Sequence, residues 1–185
     1  FIEKNCTMIT FEQAINIIEK EIQNLNLQKT PANLYEPIKF ALSGGGKRIR
    51  PALTIISCNL FNDDYKIALF PALAIEIFHN FTLIHDDLMD NSSLRRNKPT
   101  VHVNWNPNIA ILAGDAMNIL AYKMVNRIEK NILPDILGIF NETAIQVCEG
   151  QMMDMDYENR NDVTEEQYLQ MIGLKTSVLL AACLK

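Results

Sequence analysis

Apolar residues recur at three- and four-residue spacing along almost the whole chain, and the strict apolar–polar alternation of a half-buried strand is nearly absent. That periodicity confines the chain to helices packed on helices. Prolines, glycines and capping signals divide the pattern into segments. Thr10-Phe11-Glu12-Gln13 fits a capping box, and apolar residues follow through Ile15, Ile18, Ile22 and Leu25. Pro31 interrupts, Leu34 to Leu42 reads as a short helix, and Ser43-Gly44-Gly45-Gly46 ends it. Pro51 suits the first turn of a helix running to about Phe61, and Pro71 the start of a long one ending near Asn91. Pro107 and Pro134 open two more, and Thr164 to Gln167 repeats the capping box before the last. The expected fold is all-α, an antiparallel helix bundle, with 10–185 belonging to one domain and 1–9 an N-terminal extension. A chain of 185 residues, 48% of them hydrophobic, can bury a substantial core of that kind.

The net charge of -5 argues against a nucleic-acid partner, because sequence-independent binding needs a strongly basic surface. Any anionic ligand must be met by local basic clusters. Cys6, Cys58, Cys148 and Cys183 are scattered without Cys-x-x-Cys spacing, and read as reduced core residues of a cytoplasmic protein. Apolar runs such as Val178 to Leu184 are too short to span a membrane, and no signal-peptide pattern opens the chain. The chain stops at Lys185 inside an apolar helical pattern, and so reads as the N-terminal portion of its domain.

The helix from Pro71 carries most of the chemistry. At about 100° per residue, Asp86 and Asp90 share a face with Asp87 beside them, and His79 falls on nearly the same stripe. Like charges at that spacing destabilise a helix. A bound cation removes the cost, and magnesium suits the cluster because it takes oxygen ligands and bridges carboxylates to phosphates. The alternative is a solvated acidic helix end. An EF-hand is ruled out by its missing glycine and alternating ligands. Arg95 and Arg96, with Lys98, follow in a turn-rich stretch, where guanidinium groups can bind phosphate oxygens in pairs. A second basic group, Gly44-Gly45-Gly46-Lys47-Arg48-Ile49-Arg50-Pro51, places three cations at a helix start and can cradle phosphate. It is not a P-loop, since no Ser or Thr follows Lys47 and no strand precedes the glycines.

Gly45-Gly46-Lys47-Arg48-Ile49-Arg50-Pro51, His79, Ile84-His85-Asp86-Asp87-Leu88-Met89-Asp90 and Arg95-Arg96 together resemble the trans-prenyl (polyprenyl) diphosphate synthases. Gly114-Asp115, Gly150-Gln151-Met152-Met153-Asp154 and Lys175-Thr176 extend the resemblance over residues 30 to 185. It implies the helix bundle of isoprenoid synthases, and a prenyltransferase joining isopentenyl diphosphate head-to-tail to dimethylallyl, geranyl or farnesyl diphosphate. Isopentenyl diphosphate falls to Lys47, Arg50, His79 and Arg96. The allylic diphosphate falls to magnesium (or manganese) on Asp86 and Asp90 with Asp87 in support, and to Arg95, Lys175 and Thr176, with Gln151 and Asp154 lining the same cavity. Asp86, Asp87, Asp90, Arg95 and Lys175 form the catalytic set.

Chemistry agrees with these roles. Ionising a carbon–oxygen bond puts charge on the leaving diphosphate, which fixed cations stabilise in a dry site. Each added isoprene unit buries apolar carbon worth roughly 3 to 4 kcal/mol at about 0.8 per CH₂, so a steric floor must stop growth. The resemblance assigns that floor to Phe81, with Thr82 and Phe78, and implies a geranylgeranyl-length product. His85, His102, Trp105 and Asp115 are expected to pack or hydrogen-bond, and Met152, Met153 and Met155 to fill core around the cavity. The family's second aspartate-rich motif is absent from these 185 residues, so the piece alone is expected to be inactive. A class I terpene cyclase and a non-catalytic partner subunit remain as alternatives, and a homodimer is the expected assembly.

Overall fold

A computed structural model describes residues 8–185. The proposed extension at 1–9 and the reading of Cys6 therefore lie wholly or mostly outside the described residues. α1 (Phe11–Gln23) opens on the Thr10 capping box, with both reciprocal hydrogen bonds made, and buries Ala14, Ile18 and Ile22. α2 (Ala32–Ser43), α3 (Ile49–Phe61) and α4 (Leu69–Met89) follow, the last led in by a 3₁₀ turn at Tyr65–Ala68. Then come a hairpin of β1 (Leu94–Arg95) and β2 (Lys98–Pro99), a short α5 (Val101–Asn104), and the long α6 (Pro107–Val125) and α7 (Leu133–Tyr157). α8 (Glu165–Ile172) starts on the Thr164 capping box and runs through a π-helical stretch, Gly173–Ser177, into α9 (Val178–Ala182).

α4 is the axle of the bundle. Every residue from Ala72 to Phe78 is buried, because α6 packs along one side and α3 along another. A helix enclosed this way is apolar all round rather than amphipathic. The Tyr65–Met89 helical stretch is in fact long and apolar enough to cross a membrane by length and composition, which corrects the sequence estimate that no run qualifies. Its most apolar window is 56% buried among the other helices, the behaviour of a core helix.

Three further details depart from the sequence reading. α2 begins at Ala32 and carries Pro37 inside it, so one backbone hydrogen bond is missing from a buried turn. The hairpin was not anticipated; its two-residue turn holds Arg96 and Asn97 at φ 52° and 62°, the left-handed pair that a tight hairpin requires. Among the described cysteines only Cys183 is buried; Cys58 is partly buried and packs against the core, and Cys148 is exposed and so is not a core residue.

Candidate diphosphate site

The last two turns of α4 send their three aspartates in different directions. Asp87 is 5% exposed and turns toward the hairpin, where Arg95 Nε donates to its Oδ1 at 2.7 Å. Asp86 faces α7 and the π-helical stretch, half-buried, 4.0 Å from Lys175 Nζ. Asp90 is the exposed C-cap of α4. Burial raises the Asp86 carboxyl pKa, against the pull of Lys175 and with Asp90 adding to it. Burial likewise raises Asp87, against the hydrogen bond and charge of Arg95.

Among the described residues no three His, Cys, Asp or Glu side chains converge as a ready-made metal cage. Asp86 and Asp90, one turn apart on one helix, nevertheless fit magnesium, which keeps several waters and needs only one or two carboxylates beside a substrate phosphate. The incompletely compensated charge on Asp86 is what such a cation would neutralise.

Opposite α4, Lys175 sits in the π-helical stretch and donates to Asp154 Oδ2 at 2.5 Å. Burial lowers its pKa, but the Asp154 hydrogen bond and the charges of Asp86 and Asp154 outweigh that, and the net shift is upward. π-Helical turns are rare and concentrate at functional sites. This one approaches α7 so closely at Gly150 that a Cβ there would overlap the Lys175 backbone. Gln151, one residue on, has both amide atoms buried without a partner. A buried amide left unpaired is costly, and a ligand oxygen or water in the adjacent cavity would satisfy it.

The basic loop is divided between structure and site. Arg48 is buried in a left-handed conformation, φ 46°. Its guanidinium is spent on Glu19 at 2.7 Å, Glu76 at 2.5 Å and the Leu42 carbonyl at 2.6 Å. It therefore cannot cradle phosphate as the sequence grouping supposed. Arg50 instead reaches His79, NH1 to Nε2 at 3.3 Å. Lys47 is exposed, and Arg96 lies on the surface donating to the Gly45 carbonyl, which joins the hairpin to the glycine loop. Gly46 holds φ 146°, which a side chain rarely adopts, and a Cβ there would displace the Arg96 guanidinium.

One cavity of about 310 Å³ gathers Arg50 and His79 with Asp86, Gln151, Lys175 and Thr176. Phe81 and Thr82 also line it, while Lys47, Asp87, Asp90, Arg95, Arg96 and Asp154 do not. Phe78 faces a separate apolar cavity of about 270 Å³; its ring meets Phe81 edge-on at 5.4 Å, so the two rings divide the chambers. Met152 and Met155 line the first cavity but are 58% and 40% exposed, so they are not core filler. His85 packs and hydrogen-bonds as expected, Nε2 3.2 Å from the Ile111 carbonyl and 3.9 Å from Asp115. Trp105 supports Phe40 edge-on at 5.4 Å. Glu76 is the structural residue that sequence reasoning missed; a lone carboxylate in the middle of an apolar helix was the signal.

His79 titrates far from its usual range. Burial, then the charges of Arg50, Arg96, Arg95 and Arg48, lower its pKa from 6.5 to about 3, so the ring is neutral at physiological pH. The unfolded chain then takes up a proton below pH 6.5 that the folded chain refuses until about pH 3. Stability should fall with acidification across that window, by up to roughly 1.4 kcal/mol per pH unit from this group, and be independent of it above. Urea midpoints of wild type and His79→Gln at pH 7 and pH 5 test this: the variant should lose less between the two.

The sequence model of the polyprenyl synthetase family matches residues 31–185. The short chain isoprenyl diphosphate synthase of Methanocaldococcus jannaschii is 49% identical over 80% of this chain and 46% of its own length. The geranylgeranyl diphosphate synthase of Methanosarcina mazei is 39% identical over 91% of this chain and 52% of its own. A crystal structure of a geranylgeranyl pyrophosphate synthase superposes with a TM-score of 0.91 at 44% identity, covering 96% of this chain and 54% of that one. The chain thus spans about half the length of the relatives it matches. On this evidence the chain belongs to the polyprenyl synthetase family, the trans-isoprenyl diphosphate synthases.

Proposed function

We propose that the full-length protein carrying this chain is a trans-prenyltransferase, condensing isopentenyl diphosphate with an allylic diphosphate and releasing diphosphate. The observation that carries the reading is the cavity with Arg50 and His79 together with Asp86, Gln151 and Lys175. Two sets of polar groups facing one space suit two anionic substrates held side by side. Magnesium, held by Asp86 and Asp90, would polarise the leaving diphosphate. Lys175 and Thr176 would take its remaining oxygens, with Arg95 on the hairpin side. Gln151 would donate into the same site. Lys47, Arg50, neutral His79 and Arg96 would hold isopentenyl diphosphate. Phe81 and its neighbours keep water from the allylic cation and offer it an aromatic face.

The test is incubation of the full-length protein with isopentenyl diphosphate, magnesium and, in turn, dimethylallyl, geranyl and farnesyl diphosphate, with products resolved by length. A polyprenyl diphosphate is expected; no condensation with any starter sinks the proposal. The 185-residue piece alone should be inactive, having about half the relatives' length. A class I terpene cyclase has no use for Arg50 and His79 beside the first site, and a silent partner subunit no use for Asp86 and Lys175.

Chain length follows from the divided chambers. Phe81→Ala should lengthen the product by an isoprene unit or two, with Phe78 then forming the floor, read from the same product profile. An unchanged distribution would place the floor elsewhere. A homodimer is part of the proposal, supported by exposed Leu112, Ile119 and Ile145 at 59%, 63% and 54%. So is a cytoplasmic location.

A further inference from the structure

Asp154 is a poor candidate for touching a diphosphate. Its carboxylate would repel the ligand, and its Oδ2 is already taken by Lys175 at 2.5 Å. α7 meets the π-helical stretch at two points one turn apart. At Gly150 the backbones press together, and at Asp154 the ammonium is gripped. Lys175 carries a flexible four-carbon stem, and both partners are partly open to solvent, 24% and 35% for Lys175 and Asp154. The nearest alternative anchor for its ammonium is Asp86, now 4.0 Å away.

We infer that Asp154 is a positioning residue: with Gly150 it forms a cradle on α7 that aims Lys175 into the diphosphate site and keeps it from settling onto Asp86. The inference rests on the function proposed above but assigns Asp154 no contact with substrate or metal. Without Asp154 the ammonium swings onto Asp86, where it competes with the cation that the carboxylate is there to hold. Gly150 serves the same end through shape, since any side chain would push the π-helical backbone, and Lys175 with it, away from α7.

A double-mutant cycle separates positioning from direct contact. Binding of inorganic pyrophosphate with magnesium to the full-length protein is measured by calorimetry for wild type, Lys175→Ala, Asp154→Ala and the double variant. Each single change should weaken binding about tenfold, and the double variant should bind no worse than Lys175→Ala, because an aiming residue has nothing left to aim. In the Lys175→Ala background, adding Asp154→Ala should move the magnesium midpoint less than about twofold. Asp154→Glu, which keeps the charge, should recover part of the affinity. Multiplicative losses in the double variant, or a large magnesium shift in the Lys175→Ala background, would make Asp154 a direct ligand and overturn the inference alone. If the unmodified protein binds no pyrophosphate, the proposed function falls and this inference with it.

Discussion

Asp86→Asn in the full-length protein should lower kcat for condensation by on the order of a thousandfold at saturating magnesium, the scale of losing a preorganised group that stabilises developing charge. Of the three aspartates, only Asp86 both faces the cavity and lies near Lys175. The amide is isosteric, but it cannot neutralise a divalent cation. Stability should move the other way. Burial raises the Asp86 pKa and Asp90 adds to it, so the folded protein bears the cost of that charge when no cation is present. The variant should melt at the same temperature as wild type or higher without magnesium, the usual trade between a functional site and stability. Asp87→Asn gives the contrast: it frees Arg95 and loosens the hairpin, and should cost less in kcat. Steady-state kinetics and melting curves on the three proteins decide it. If Asp86→Asn keeps more than about a tenth of wild-type kcat, the catalytic centre is not at this carboxylate.

The second large effect lies in the core. Glu76→Leu should destabilise the protein by about 3 to 5 kcal/mol, because it strands a buried guanidinium rather than because the ion pair is intrinsically strong. Glu76 and Arg48 are each 3% exposed, 2.5 Å apart, and Asn80 Nδ2 also donates to the Glu76 carboxylate at 3.0 Å. The Leu42 carbonyl and Glu19 remain for Arg48, but the one carboxylate left, Glu19, comes from a side chain 37% exposed. Arg48→Met combined with Glu76→Leu should recover most of the loss, since a well-packed apolar pair often replaces a buried ion pair at little cost. Urea midpoints measure both. Equal destabilisation in the single and double variants would mean that packing volume, not the orphaned charge, sets the cost.

Much of the bundle was legible in the sequence because helix starts are local. Thr10 and Thr164 each cap their helix through residues three positions along, and Pro107 and Pro134 sit where a missing N–H costs nothing. What escaped notice depends on tertiary contacts. The π-helical stretch at Gly173–Ser177 has no composition of its own; it follows from how closely α7 can approach at Gly150, whose close contact is distant in sequence. The short helix read from Leu34 in fact starts at Ala32, which puts Pro37 inside it rather than in its first turn. The candidate site divides the same way. Residue types and spacing singled out Asp86, His79 and Arg50, and the family resemblance added Lys175; the four share one cavity. Order in the chain could not say that Arg48 turns inward while Arg50 turns to His79, since the left-handed backbone at Arg48 separates them.

The small hairpin after α4 carries a consequence for how this stretch can vary. Arg95, on a strand, bonds to Asp87, and its neighbour Arg96, in the tight turn, bonds to the Gly45 carbonyl on another loop. Adjacent residues thus tie the first aspartate helix to the glycine loop in two directions at once. The tight turn fixes the two arginines relative to each other, so adding or deleting a single residue between Met89 and Arg95 would shift the hairpin as a unit and pull Arg95 off Asp87 or Arg96 off Gly45. Surface connections ordinarily accept such changes in length; here the length is itself part of the wiring, and substitutions should be tolerated where insertions are not.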